Sequence, residues 1–291
     1  MAMKETSKKS STPVKGTVRA RRIFSYIILI ILTVLCLIWF YILFINTTRS
    51  NGELGKGFTP IPSTYLIKNM YNMLHGSLPF IRGMLNSLIV AGFGAFLCTY
   101  FSTMTAYAIH AYNFKGKKAI YTFILAIMMI PTQVSALGFV QLVNKMHLMD
   151  NYLSLILPSI ASPIVFFYLK QYMDSNLPSS LLEAARIDGA GELRIFNTIV
   201  LPLMKPAIAV QAIFSFVASW NNYFIPALVL HKETMKTLPV LIAELRSADW
   251  LKFDMGQVYA AITFSIFPVI IVYLFLSKYI VGGVTAGGVK G

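Results

Sequence analysis

The sequence predicts an all-α integral membrane protein of six transmembrane helices, on three observations. Hydrophobic residues make up 56% of the chain and charged residues only 12%, about half the charged share of an ordinary soluble domain. Mean hydropathy is +0.67 over the 291 residues. Six stretches contain no Asp, Glu, Lys or Arg: residues 23–45, 84–109, 119–143, 152–169, 207–230 and 258–277. A soluble fold of this length needs more polar surface than the sequence offers.

Each stretch is roughly 18–26 residues, enough to cross a hydrocarbon core of about 30 Å at about 1.5 Å per residue. Strand alternation is absent, and the lengths do not suit a barrel. Residues 1–22, rich in Lys, Ser and Thr, read as a disordered tail. The first stretch is too long for a cleavable signal sequence, and no small-residue cleavage site follows Ile45. Pro131, Pro158, Pro163, Pro226 and Pro268 fall inside stretches, where a bundle tolerates them as kinks or breaks. The organisation is then a tail (1–22), a membrane unit (23–281) containing a polar loop (174–206), and a Gly-rich tail (282–291).

Orientation follows from the basic residues. The first tail carries Lys4, Lys8, Lys9, Lys15, Arg19, Arg21 and Arg22, and the turn after the second stretch carries Lys115, Lys117 and Lys118. The turn after the third stretch has only Lys145. The first tail is therefore expected in the cytoplasm, and six spans place the polar loop and the C-terminus there too. The net charge of +14 does not indicate nucleic acid, because the basic residues flank apolar stretches and form no patch interleaved with aromatics. Cys36 and Cys98 both lie inside apolar stretches and the four histidines are scattered, which excludes a structural disulfide and a sequence-encoded metal site.

The polar loop is the most specific segment. Ser180 precedes Glu183 by three residues, the spacing of a capping box, which predicts a short helix starting there. Leu181, Leu182, Ala184 and Ala185 give it a compact apolar surface, and Gly189 is placed to end it. A second short helix over roughly 192–200 leads to Leu201-Pro202, with Lys205-Pro206 opening the fifth span. On these features alone, a capped interfacial helix is the competing reading.

The order Glu183-Ala184-Ala185, Gly189, then Ile199 and Leu201-Pro202 resembles the cytoplasmic coupling loop of ATP-binding-cassette importer permeases. The resemblance extends over most of the chain. Asp188-Gly189-Ala190, Asn86-Ser87 opening the second span, Trp220-Asn221-Asn222 and the Gly-rich end are similar to the carbohydrate branch, and specifically to its maltose-type second permease. This implies the type I importer permease fold and a bacterial plasma-membrane location. It implies a second, different permease, two cytoplasmic ATPase subunits and an external sugar-binding protein as partners. Glu183, Ala184, Ala185, Asp188 and Gly189 would contact the ATPase, and Gly287, Gly288 and Lys290 would reach the ATPase dimer interface. For that tail, simple disorder is the alternative.

The chain is not expected to be an enzyme. Gly55-Lys56 and Gly116-Lys117 lack the upstream Gly and following Ser or Thr of a triphosphate-binding loop. No cofactor is expected on this chain, and ATP with its magnesium would sit on the partner. Without an ionisable carboxylate or amine inside the stretches, an ion-coupled carrier is disfavoured and a neutral solute favoured. Gln211, Ser215, Ser219 and Asn222 recur on one face of the fifth span, beside Trp220, Asn221 and Tyr223. Amides, hydroxyls and an aromatic ring suit a sugar, and the same groups serve equally as interhelical glue. Pro131, Gln133 and Ser135 form a weaker set in the third span. The outward loop 231–257, with Leu238-Pro239-Val240 and Trp250, reads as a binding-protein contact or as an ordinary membrane-surface loop. The leading function is a permease half-pathway for an oligosaccharide. The alternatives are another solute (polyol, amino acid or peptide) on the same fold, or a secondary carrier.

Overall fold

The computed structural model describes residues 15–76, 79–247 and 254–287. Among them every regular element is helical. α1 (Lys15–Thr47) is a single helix, so residues 15–22 belong to it and not to a disordered tail. Side chains 21–41 are all exposed, and burial begins only near Ile45. There the Thr47 hydroxyl meets that of Thr263 at 2.7 Å. α2 (Asn51–Leu54) is a single turn closed by a complete capping box between Ser50 and Glu53. α3 (Leu66–His75) follows and packs on the last helix.

α4 (Phe80–Ala111) is the central span. Its buried face carries Gly83, Ser87, Ala91, Gly94, Ala95, Cys98, Thr99, Ser102 and Ala106. Small side chains let neighbouring backbones come close, which is how helices associate where lipid removes the usual hydrophobic drive. Asn86 and Ser87 lie in the second turn of α4 and do not open it.

The third apolar stretch is α5 (Lys117–Ile127) and α6 (Thr132–Lys145), bent by 100° at a break before Pro131. The fourth is α7 (Leu153–Ser159) and α8 (Pro163–Asn176). Ser162 caps α8 and Pro163 occupies its first turn, where a missing N–H costs nothing. By length and composition the helices supply five spans, or six with the bent pair counted as one.

α9 (Ser179–Ile187) follows, then α10 (Glu192–Ile195), a π-helical segment (Phe196–Val200) and α11 (Leu201–Trp220). These last three run on as one helix from Glu192 to Trp220. That corrects the expectation of a separate short helix before a span opening at 207. The fifth stretch also ends earlier than its composition implies. The helix stops at Trp220, and α12 (Phe224–Val229) is a separate piece. α13 (Leu238–Ser247) and α14 (Met255–Gly287) complete the chain.

α4 packs chiefly on α11 and α8, and α11 on α14. Three cores result among the described residues: a small one of Val143, Val229 and Leu230, and two larger ones, one toward each end of the bundle. Leu169, Met173, Leu182, Ile195, Phe196, Val200 and Met204 bury together at the end carrying α9. Met73, Phe80, Ala91, Phe216, Trp220, Leu238 and Leu241 bury together at the opposite end.

Candidate coupling surface and transport cavity

α9 projects from one end of the bundle as a rooted knob. Leu182 and Ala185 point inward and join the core, with Leu182 only 1% exposed. Burying a leucine in this way stabilises by about 1.5–3 kcal/mol. The opposite face presents Glu183, Ala184, Asp188 and Gly189, all exposed. The knob also exposes large apolar side chains, chiefly Ile187 of α9 at 86% and Leu193 of α10 at 69%.

The predicted capping box at Ser180 does not form. The cap position is Pro178, with no side-chain hydrogen bond, and the helix is already under way at Ser179. The other end matches expectation. Gly189 has φ +77°, a left-handed conformation that glycine adopts at little cost. Its N–H donates to the Arg186 carbonyl and that of Ala190 to the Ala185 carbonyl, each at 3.0 Å. That pair of bonds is the Schellman closure of a helix.

A network not evident in the sequence fixes the knob to the bundle. Arg186 Nε donates to Glu192 Oε1 at 2.7 Å, and the Tyr107 hydroxyl donates to Glu192 Oε2 at 2.6 Å. The Arg186 guanidinium lies 5.3 Å from the Tyr112 ring centre. Its hydrogen bond to Glu192 holds it protonated beyond its ordinary range. Phe196 packs between Tyr100 and Tyr107. α9 is thus tied to α4 and to the start of the long helix. The six-residue spacing of Arg186 and Glu192, across a glycine-closed turn, was the available signal.

At the opposite end Trp220, Asn221 and Tyr223 line a cavity of about 470 Å³ with Leu238, Pro239, Ile242, Ala243 and Ser265. Among the described residues, none that lines it is charged. Trp220 is held by stacking on Phe216 at 5.7 Å. The remaining polar-face candidates sit elsewhere. Gln211 is buried in the bundle, the Ser215 hydroxyl contacts Cys98 Sγ at 3.7 Å, and Ser219 lies near Gly94. Asn222 Oδ1 accepts from the Ile225 N–H and starts α12. Pro131, Gln133 and Ser135 are exposed at the start of α6, away from this cavity.

The segment 231–247 is docked more firmly than its composition suggests. Leu238 and Val240 are 1% and 2% exposed, so they belong to the core and not to an open contact surface. Asn86 Nδ2 donates to the carbonyls of Thr234 and Lys236, and Ser87 Oγ accepts from the Leu238 N–H. Asp150 Oδ1 accepts from the N–H groups of His231 and Lys232. His231, Lys232, Glu233 and Thr234 remain exposed. Trp250 lies outside the described residues, as do Gly288 and Lys290. Gly287 is the last residue of α14.

A bundle of apolar spans with a rooted knob at one end and an uncharged cavity at the other defines a multi-pass membrane transport permease. The chain belongs to the family described as binding-protein-dependent transport system inner membrane component, whose pattern matches residues 99–285. It is 36% identical over 263 residues to the arabinooligosaccharides transport system permease protein AraQ of Bacillus subtilis strain 168, covering 89% of this chain and 92% of that one. It is 31% identical to the sn-glycerol-3-phosphate transport system permease protein UgpE of Yersinia pestis, covering 91% and 96%. It is also 31% identical to the probable starch degradation products transport system permease protein AmyC of Thermoanaerobacterium thermosulfurigenes, covering 91% and 97%. Among solved structures it resembles a chain of a bacterial ABC transporter involved in the import of the acidic polysaccharide alginate. The TM-score there is 0.77 at 25% identity, over 92% of this chain and 99% of that one.

Proposed function

We propose that this chain is one of two different permease subunits of an ATP-driven importer for a neutral oligosaccharide in a bacterial plasma membrane. Both termini and α9 face the cytoplasm, as the basic residues around the first two spans require. The observation that carries the reading is the α9–α10 turn: rooted by Leu182, Ala185 and the Arg186–Glu192 bridge, yet presenting exposed Ile187 on α9 and Leu193 on α10. Exposed apolar groups rimmed by charge mark a protein contact. The contact is a cytoplasmic ATPase, present in two copies; Glu183, Ala184, Asp188 and Gly189 form the docking face, and Ala185, expected there too, is buried beneath it as part of the root. ATP and magnesium belong to that partner, and this chain binds no cofactor. Gly287, Gly288 and Lys290 extend toward the same ATPase pair. The organisation is an N-terminal cytoplasmic segment of 1–22, whose residues 15–22 form the start of α1, a membrane unit of 23–281 with its coupling loop at 174–206, and a C-terminal segment of 282–291, whose residues 282–287 end α14.

Solute passes by the cavity under Trp220, Asn221 and Tyr223. The ring offers an apolar face and the amide offers hydrogen bonds, which together suit a sugar. The glycerol-phosphate permease among the relatives raises an anionic solute as a second reading, and the uncharged lining of this cavity speaks against it. The second permease packs beside this one, and a sugar-binding protein delivers from outside, near exposed residues 231–234.

The test is substrate-stimulated ATPase activity of the co-purified complex in lipid. Glu183→Ala combined with Gly189→Pro is expected to abolish stimulation or to shed the ATPase, while the permease stays folded. Proline cannot adopt the positive φ of Gly189. Normal transport by this variant, with no ATPase co-purifying from wild type, would return the chain to the carrier class.

A further inference from the structure

We propose that the cleft between α5 and α8, at the α9 end of the bundle, holds the headgroup of an anionic phospholipid. The proposal rests on the cytoplasmic orientation given above. The cleft is a cavity of about 510 Å³. Lys117, Lys118, Lys170 and Asp174 supply its charged lining, and Ile109, Phe114 and Tyr121 supply its apolar lining.

Three ammonium groups therefore meet one carboxylate, and that carboxylate is already engaged. Asp174 takes both Lys170, at 2.5 Å, and the His110 ring, at 2.8 Å. Lys117 Nζ donates to the Tyr112 carbonyl at 2.8 Å and to Asn113 Oδ1 at 3.3 Å, both uncharged. Lys118 has no hydrogen bond or ion pair among the described residues. Two positive charges at the mouth of the cleft are left without a counter-charge. α5 also begins here, at Gly116, so the positive end of its dipole adds to them.

The choice of a lipid over a free anion comes from the apolar part of the lining. Phe114 and Tyr121 would be unmatched by a small phosphate. No side chain of α5 is fully buried, and Ile120 and Phe123 are 47% and 66% exposed. An acyl chain can lie along that face while its phosphate reaches Lys117 and Lys118. Basic residues just inside the membrane plane, beside an apolar cleft, are the arrangement that holds anionic headgroups.

The test uses the intact transporter complex in nanodiscs of mixed phosphatidylglycerol and phosphatidylcholine, with native mass spectrometry of retained lipid. Wild type is expected to keep phosphatidylglycerol preferentially. Lys117→Gln with Lys118→Gln is expected to weaken that retention roughly fivefold for each lysine removed. Lys118→Glu alone, an exposed change that spares folding, is expected to weaken it at least as much. The tail variant Arg19→Gln, Arg21→Gln, Arg22→Gln should retain the lipid, which separates this cleft from general attraction to the basic tail. Unchanged retention in both lysine variants would overturn the proposal. So would displacement of the lipid by inorganic phosphate or free glycerol phosphate, which would assign the cleft to a soluble anion. If the permease purifies without an ATPase but still shows lysine-dependent retention, the importer reading fails and the lipid site stands.

Discussion

A Cβ on Gly256 would lie 2.6 Å from both terminal atoms of the Asn69 side chain. That side chain is buried, and its amide nitrogen donates to the carbonyls of Thr47 and Arg49, each at 2.8 Å. Asn69 therefore cannot step aside without losing bonds that tie α3 to the end of α1. Gly256→Ala is expected to destabilise by about 1–3 kcal/mol, the cost of leaving buried polar groups unpaired. Thermal unfolding of the purified chain checks it, and adding Asn69→Ala should cost less than the sum of the two singles. Asp150 carries a different dependence. The Lys232 N–H, with that of His231, holds its carboxyl below the ordinary carboxylate value against the opposing effect of burial. A depressed folded pKa contributes stability in full above the unfolded value of about 4. It is lost as pH falls through the lower, folded value. Protection factors of the His231 and Lys232 amides should stay high at about pH 5 and collapse only below the usual carboxylate range. In Asp150→Ala the protection should be absent across that window. Residue-scale signals were legible unevenly. Ser-x-x-Glu occurs at 50–53 and at 180–183, and only the first is a cap. Ser50 has the extended backbone a cap requires, whereas Pro178 starts α9 two residues before Ser180.

The spans themselves were legible, because a charge-free stretch of membrane length has few other fates. Their interruptions were less so. Pro131 announced a break but not its 100° angle, which depends on what α5 and α6 pack against. Pro202 and Pro206 suggested a boundary, yet the helix runs through both. The π segment Phe196–Val200 lies immediately before Pro202. Its wider turn relieves the clash and the missing N–H that proline brings to a helix. The polar face of the fifth span was visible as a periodicity, but periodicity does not say which neighbour it faces. Gln211 and Ser215 turn toward the bundle, and only Trp220, Asn221 and Tyr223 reach the cavity. Closure of α9 by Gly189 was readable because it is local. The Arg186–Glu192–Tyr107 network was not, because Tyr107 is 85 residues away from Glu192 along the chain.

At the scale of the molecule, the two candidate sites lie at opposite ends of one helix. Glu192, which grips α9 through Arg186, begins the run that ends at Trp220, whose ring borders the cavity. Twenty-nine residues at about 1.5 Å each give a rod of about 43 Å. On the proposed coupling it would work as a connecting rod, with a crank pin at one end and a valve face at the other, its ladder interrupted only around the π segment, Pro202 and Pro206. A stroke delivered at α9 would then reach Trp220 along this helix, and solute arriving at Trp220 would push back on α9 the same way. Two glycines inserted after Ala209 would put a soft joint in the shaft. The expected phenotype is an engine that idles, with ATP turnover by the complex persisting while its stimulation by solute, and solute uptake into vesicles, fall together.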